Sequence, residues 1–199
     1  MGPGAVLSLS EEILSEEILS DEILMERARA LQWLLLDVDG VLTDGRLVYG
    51  PDGEQEKVFN VRDGLGLRLV QRDGIKVGII SGRESEALRI RADDLGVDWL
   101  MMERSDKGPA FAEFLAAQGV SPDKVAFMGD DLVDLPILLR CGLAFAPADA
   151  VEEVRERVHR VLSGRGGRGV VRELCELLLR ARGSWEELIA PYYVVGEPD

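Results

Sequence analysis

Four carboxylates carry the first chemical signal in this chain. Asp37 and Asp39 stand two residues apart, and Asp130 and Asp131 are adjacent far downstream. Carboxylates gathered at one place repel one another unless a cation sits among them. A hard divalent ion such as magnesium meets that need, since it takes a few carboxylate oxygens together with waters and phosphate oxygens. Ser81 adds a hydroxyl, and the Ser81-Gly82 turn is expected to aim backbone N–H groups from a helix start. Lys107 opens another helix and adds a compact positive charge. Such a set suits phosphoryl transfer, where positioning and charge neutralisation do most of the work.

These residues are distant in sequence, so a fold must bring them together. Trp33-Leu34-Leu35-Leu36 is a short, wholly apolar run, as expected of a parallel strand buried on both faces. Arg46–Tyr49 and Lys57–Val61 flank Gly50-Pro51-Asp52-Gly53, a hairpin signal. Strands are expected over 76–80, 98–101, 125–128 and 143–146, with an edge strand over 157–162. Helices are expected over 64–72, 84–95, 107–118, 132–140 and 151–157. The alternation predicts an α/β fold, a Rossmann-like doubly wound parallel sheet with a β-hairpin flap after the first strand. Ligands of such sheets sit beyond the C-terminal strand ends. Asp37, Asp39, Ser81, Gly82, Asp130 and Asp131 all fall at that edge.

Ahead of the sheet, residues 10–24 repeat a five-residue unit, SEEIL, SEEIL, SDEIL. A step of five turns a helix by about 140°, so the Ile-Leu pairs spread around it and form no single stripe. The preferred reading is a polar leader that becomes a helix near Ser20–Ala30, with Met1–Ser8 disordered; a partner-binding helix is the alternative. The chain divides into a leader and helix over 1–30, the catalytic domain over 31–182 and a tail over 183–199. With 23 Lys and Arg against 37 Asp and Glu, the formal charge is -14. That argues against nucleic acid and anionic membranes as partners, yet leaves room for a locally basic pocket. Cys141 and Cys175 lack metal-type spacing and read as reduced core thiols. With no signal peptide and no spanning segment, a cytoplasmic location is expected. His159, the sole histidine, reads as structural.

Asp37-Val38-Asp39-Gly40-Val41-Leu42-Thr43, then Ser81, Lys107 and Gly129-Asp130-Asp131, resemble the four motifs of the haloacid dehalogenase superfamily phosphatases. The resemblance implies that Asp37 is the nucleophile, forming an aspartyl-phosphate, and that Asp39 is the general acid and then the base. It further implies magnesium held by Asp37, the carbonyl of Asp39 and Asp130, with Asp131 ordering a metal-bound water or Lys107. Ser81 and Lys107 hold the phosphoryl oxygens. For Asp134 a capping role and a role behind the site are equally open. The intervals from 39 to 81, 81 to 107 and 107 to 130 leave no room for a cap domain. An uncapped site either takes a macromolecule or is closed by a neighbouring subunit.

A narrower resemblance comes from Asn60-Val61-Arg62-Asp63-Gly64, Ser81-Gly82-Arg83, Gly129-Asp130-Asp131-Leu132 and Gly166-Gly167-Arg168-Gly169-Val170-Val171-Arg172-Glu173. Over about Ile23 to Arg182 the chain is similar to the 3-deoxy-D-manno-octulosonate 8-phosphate phosphatases. That family hydrolyses an eight-carbon sugar-acid phosphate on the lipopolysaccharide pathway, as homotetramers whose glycine-rich C-terminal segment reaches a neighbour's site. The resemblance places Asn60, Val61, Arg62, Asp63, Gly64, Arg68, Arg83 and Arg91 at the substrate, with Asp39, Lys107 and a neighbour's Arg168. Arginines suit a carboxylate, which they bind bidentately. Gly164–Gly169 is otherwise a flexible linker. A nine-carbon 9-phosphate, a phosphoprotein, or a noncatalytic oligomeric role are the competing readings. Neither the SEEIL repeat nor the tail with Trp185, Tyr192 and Tyr193 belongs to the family pattern.

Overall fold

The computed structural model describes residues 21–194 except Asp52, and leaves out the side chains of Glu54 and Gln55. The leader as far as Ser20, including most of the SEEIL repeat, and the last five residues lie outside the described residues. Helix α1 (Asp21–Arg29) leads into strand β1 (Trp33–Leu36), followed by a hairpin of β2 (Val48–Gly50) and β3 (Gly53–Glu56). Then come α2 (Val61–Arg72), β4 (Lys76–Ile80), α3 (Glu86–Leu95), β5 (Trp99–Met101), α4 (Lys107–Gln118) and β6 (Val125–Met128). The chain continues through α5 (Leu135–Leu138), β7 (Leu143–Ala146), α6 (Glu152–Arg155), β8 (Arg160–Val161), α7 (Val170–Arg182) and α8 (Trp185–Ile189).

Six strands form a parallel sheet in the order β5-β4-β1-β6-β7-β8. β1 lies between β4 and β6, so successive crossovers run outward from it in both directions. That reversal opens a crevice beyond the C-terminal ends of β1, β4 and β6. Strand residues alternate between two apolar layers, as a period of two requires. Leu34, Leu36, Ala126, Met128, Leu143 and Phe145 join one layer with α1, α2 and α7, while Trp33, Leu35, Val125, Phe127, Ala144 and Ala146 join the other with α4 and α5. Leu24 and Ala28 of α1 and Trp185 of α8 belong to the first layer. Trp185 thus covers a core edge, whereas Tyr192 and Tyr193 are exposed.

Several elements differ from the sequence reading. The second hairpin strand is Gly53–Glu56, because Gly50 pairs with Gly53 across the tight turn. Lys57–Asn60 leaves the hairpin, and α2 already starts at Val61 under the Asn60 cap, whose Oδ1 accepts from the Arg62 N–H at 2.9 Å. The helix expected over 132–140 is a 3₁₀ turn (Leu132–Asp134) followed by the short α5. Pro136 has no N–H to give the Leu132 carbonyl, which accepts from Leu135 instead. α7, thirteen residues long, is absent from the sequence reading, although buried Val170, Val171, Leu174, Cys175, Leu178 and Leu179 trace its face. His159 Nδ1 accepts from the Ala144 N–H at 2.8 Å, a structural role, and both cysteines are free and buried. Among the described residues no helix is long and apolar enough to cross a membrane.

Candidate active site

Asp37 is the first residue past β1, held by its N–H to the Met128 carbonyl on neighbouring β6 at 3.0 Å. Its carboxylate is almost wholly buried. Lys107 reaches it from the first position of α4, where Asp106 caps the helix by accepting from Gly108. The ammonium is 2.5 Å from Asp37 Oδ1 and also bonds Asp134 Oδ1. It lies 5.8 Å from the centre of the Phe127 ring. Asp134 is completely buried, and its other oxygen accepts from the N–H groups of Asp130 (2.9 Å) and Asp131 (3.2 Å). A buried ammonium is tolerated only with such partners. Burial opposes the charge on Lys107, but Asp37 and Asp134 outweigh it and raise its pKa.

Asp130 follows β6 and faces Asp37. Carboxylate oxygens of Asp37, Asp130 and Asp134 all lie within 4.8 Å of one another. Burial, together with Asp37, Asp134 and Asp131, pushes the Asp130 carboxyl up to about 8. Asp37 is raised to about 6, mainly by burial, with Lys107 pulling against it. Gly40, at φ +95, sits so close to Asp130 that a Cβ there would collide with its carboxylate. Since Asp134 is already occupied by Lys107 and two N–H groups, Asp37 and Asp130 are the carboxylates left to a cation. The donor set therefore fits a small, hard, oxygen-seeking ion.

Asp39 stands at the rim, one quarter exposed. Lys57 Nζ lies 2.5 Å from its Oδ1, and Arg83 Nε lies 3.8 Å from its Oδ2. Ser81 is buried past β4; its hydroxyl donates to the Arg83 carbonyl at 3.1 Å and accepts from the Arg83 N–H at 3.2 Å. The Ser81-Gly82 turn is not a helix start, since α3 begins at Glu86 under the Ser85 cap. Asp37, Asp39, Gly45, Gly82, Arg83, Ser105, Lys107, Asp130, Asp131 and Val133 line an open cleft of about 490 Å³.

The other sequence-derived positions distribute differently. Asp131 does not bond Lys107; its Oδ1 accepts from Leu132 at 2.7 Å, and Asp134 holds the lysine instead. Asp63, expected at a substrate, is buried and accepts from the Arg172 N–H at 2.8 Å. It serves the N-terminus of α7, whose own cap residue, Gly169, has no side chain. The Arg91 guanidinium packs on Gly64, so a Cβ there would displace it. Arg91 bonds Asp94 at 2.8 Å and the Asn60 carbonyl at 3.5 Å, and Arg68 bonds the Asp94 carbonyl at 2.7 Å. Within this chain neither arginine lines the cleft. Val61 and Arg62 are exposed at the start of α2, and Arg62 and Arg168 line one surface groove.

Arg168 pairs with Asp44 of its own chain at 3.2 Å. The glycine-rich segment before it is a tight strap and not a linker. Gly167 N–H donates to the Val41 carbonyl at 2.9 Å, and a Cβ on Gly166 or Gly167 would strike the backbone at Gly40 or at Thr43–Asp44. Two site residues were missed or undecided from sequence. Lys57 carries a weak signal, its alternation with Phe59 on an inward face; Asp134 carries a stronger one, its spacing of three from Asp131, which forms a capping box.

The family described as haloacid dehalogenase-like hydrolase matches residues 97–174. The 3-deoxy-D-manno-octulosonate 8-phosphate phosphatase of Yersinia pestis is 43% identical over 162 residues, 81% of this chain and 87% of that protein. The enzyme of that name from Escherichia coli (strain K12) is 43% identical over 161 residues, 81% of this chain and 86% of that one. A crystal structure of the Moraxella catarrhalis 3-deoxy-D-manno-octulosonate 8-phosphate phosphatase, in complex with a magnesium ion, a phosphate ion and a KDO molecule, superposes with a TM-score of 0.84 at 33% identity, covering 87% of this chain and 99% of that one. The Yersinia pestis crystal structure gives a TM-score of 0.80 at 42% identity, over 83% of this chain and 89% of that one.

Proposed function

This chain belongs to the 3-deoxy-D-manno-octulosonate 8-phosphate phosphatase family of haloacid dehalogenase-like hydrolases, and from that premise and the cleft's geometry we propose how it works. It is a magnesium-dependent phosphatase that releases phosphate from 3-deoxy-D-manno-octulosonate 8-phosphate, in lipopolysaccharide precursor synthesis. The observation that carries this reading is the buried Asp37–Lys107–Asp134 arrangement facing Asp130, with Asp39 two residues away at the rim.

Lys107 holds Asp37 Oδ1, which leaves Oδ2 to attack phosphorus. As the Asp37–phosphorus bond forms, the bond to the sugar oxygen breaks, and the proton on Asp39 passes to that departing oxygen. Asp39, now ionised, takes a proton from water as the water oxygen attacks the phosphorus of the aspartyl-phosphate. Phosphate leaves and Asp37 is restored. In this reading Ser81 and Lys107 bind the phosphoryl oxygens, and Arg83, which lines the cleft, contacts the sugar. Asp37, Asp130 and the Asp39 carbonyl would hold magnesium, whose charge offsets that of the phosphoryl oxygens and of the crowded carboxylates.

The open cleft suits closure by other copies of the chain. Val48, Tyr49, Val58 and Val61 leave an exposed apolar surface around the hairpin, which supports a homotetramer with Arg168 near a neighbour's cleft. Two free, buried thiols support a cytoplasmic location. The test is phosphate release with magnesium from the eight-carbon substrate, a nine-carbon 9-phosphate analogue and a phosphopeptide. The eight-carbon ester should give the highest kcat/KM; a preference for either other substrate would refute the assignment.

A further inference from the structure

Lys57 is the buried charge that this mechanism leaves without a role. It follows β3, where the hairpin hands over to α2. Its side chain is only 2% exposed, although Glu56 and Val58 on either side are exposed. Phe59, two residues on, packs against the first core layer, so Lys57 and Phe59 share an inner side while Glu56 and Val58 face out. The ammonium sits 2.5 Å from Asp39 Oδ1. The hairpin makes a second, looser link to this carboxylate, since Arg83 Nη1 donates to the Tyr49 hydroxyl at 3.4 Å while Arg83 Nε lies 3.8 Å from Asp39 Oδ2. Taking an ammonium out of water is costly unless the pairing is close. Asp39, by contrast, stands at an open rim where an unheld carboxylate would sample several rotamers.

We propose that Lys57 is a positioning residue for proton transfer: it pins Asp39 Oδ1 and thereby fixes Oδ2 in the cleft. This rests on the reading of Asp39 as acid and base. A group that must give a proton to one oxygen and take one from another needs a fixed location, and small misplacements are expensive in rate. The consequence depends on the leaving group. An alkyl phosphate needs its leaving oxygen protonated, whereas p-nitrophenolate departs without help. A lysine acting through Asp39 therefore matters for the first ester and little for the second; one that binds the phosphoryl group matters equally for both.

The experiment compares wild type, Lys57→Met, Asp39→Asn and the double variant on glycerol phosphate and p-nitrophenyl phosphate, with magnesium, reading kcat/KM. Lys57→Met should lose about 10²-fold on the alkyl ester, within the usual range for general acid–base assistance, and about tenfold less than that on the aryl ester. It should add no further loss to Asp39→Asn. Equal losses on both esters, or additive losses in the double variant, overturn the proposal. If Asp39→Asn itself shows no leaving-group dependence, the acid–base reading falls and takes Lys57 with it; if only Lys57→Met lacks it, the lysine's role alone falls. Melting temperatures check folding, and Lys57→Gln replaces Lys57→Met if the latter does not fold.

Discussion

The two carboxylates of the Asp37-Val38-Asp39 segment live in different surroundings. Asp37 is buried at the sheet edge, held by Lys107 from α4, with Asp134 completing the set from behind. Its geometry is inherited from core elements that cannot move without breaking the sheet. Asp39, two residues on, is partly exposed and held by Lys57 and Arg83, from the hairpin's end and the loop after β4. Core elements hold the proposed nucleophile, while the end of the hairpin reaches the proposed proton donor. The difference implies that changes at the base should cost both rate and stability, and changes at the rim rate alone.

The largest effect belongs to Asp37→Asn, which should lower kcat by about 10⁴-fold or more, the scale seen when a nucleophile is removed. Asp134→Ala should follow. It leaves Lys107 buried with one partner fewer, and breaking a buried pair costs about 3–5 kcal/mol, so the melting temperature should drop sharply along with kcat. Lys57→Met should leave the melting temperature within a few degrees, because the abandoned Asp39 still reaches water; a drop as large as that of Asp134→Ala would erase the contrast between base and rim.

The carboxylate cluster gives a second comparison, with and without cation. Asp37 and Asp130 are raised above the ordinary value of 3.8, to about 6 and about 8. Groups with raised folded-state values stabilise the fold fully below about pH 4 and lose that contribution as pH rises through their folded values. The metal-free protein should therefore forfeit stability between about pH 4 and pH 8 at this cluster, and magnesium should restore it, releasing protons as it binds. The melting-temperature gain from magnesium over EDTA should grow from pH 5 to pH 8; a gain that shrinks over that range would contradict the raised values. The smallest effect is that of Arg68→Ala, which breaks a half-exposed pair with Asp94 and should cost under about 1 kcal/mol by denaturant titration.

The base of the site was legible in sequence, and at the rim Asp39 and Arg83 were legible while Lys57 was not. Wholly apolar runs such as Trp33–Leu36 and Val125–Met128 mark parallel strands, and the residues after them must share one edge. That rule places Asp37, Ser81 and Asp130 without any knowledge of side chains. Lys57 followed no such rule, since a single lysine in an exposed hairpin is usually solvated, and its burial depends on a tertiary partner. Asp63 and Gly64 carry a motif that reads as ligand contact. Their observed work is local: one serves an α7 terminus whose own cap lacks a side chain, the other admits the Arg91 guanidinium. α7 stayed hidden because the glycine-rich segment before it reads as an arm to a neighbouring subunit or as a linker, and its close approach to Gly40 and Thr43 is a tertiary contact.

Covalent catalysis at Asp37, with Asp39 moving the protons, is open to a direct test: rapid mixing of Asp39→Asn with p-nitrophenyl phosphate and magnesium. The first half-reaction needs no acid with this ester, and the second lacks its base. A burst of one p-nitrophenolate per active site is expected, followed by slow turnover, with a hydroxylamine-sensitive phosphoryl group on the peptide containing Asp37. Steady turnover without a burst, and no label on that peptide, would contradict it.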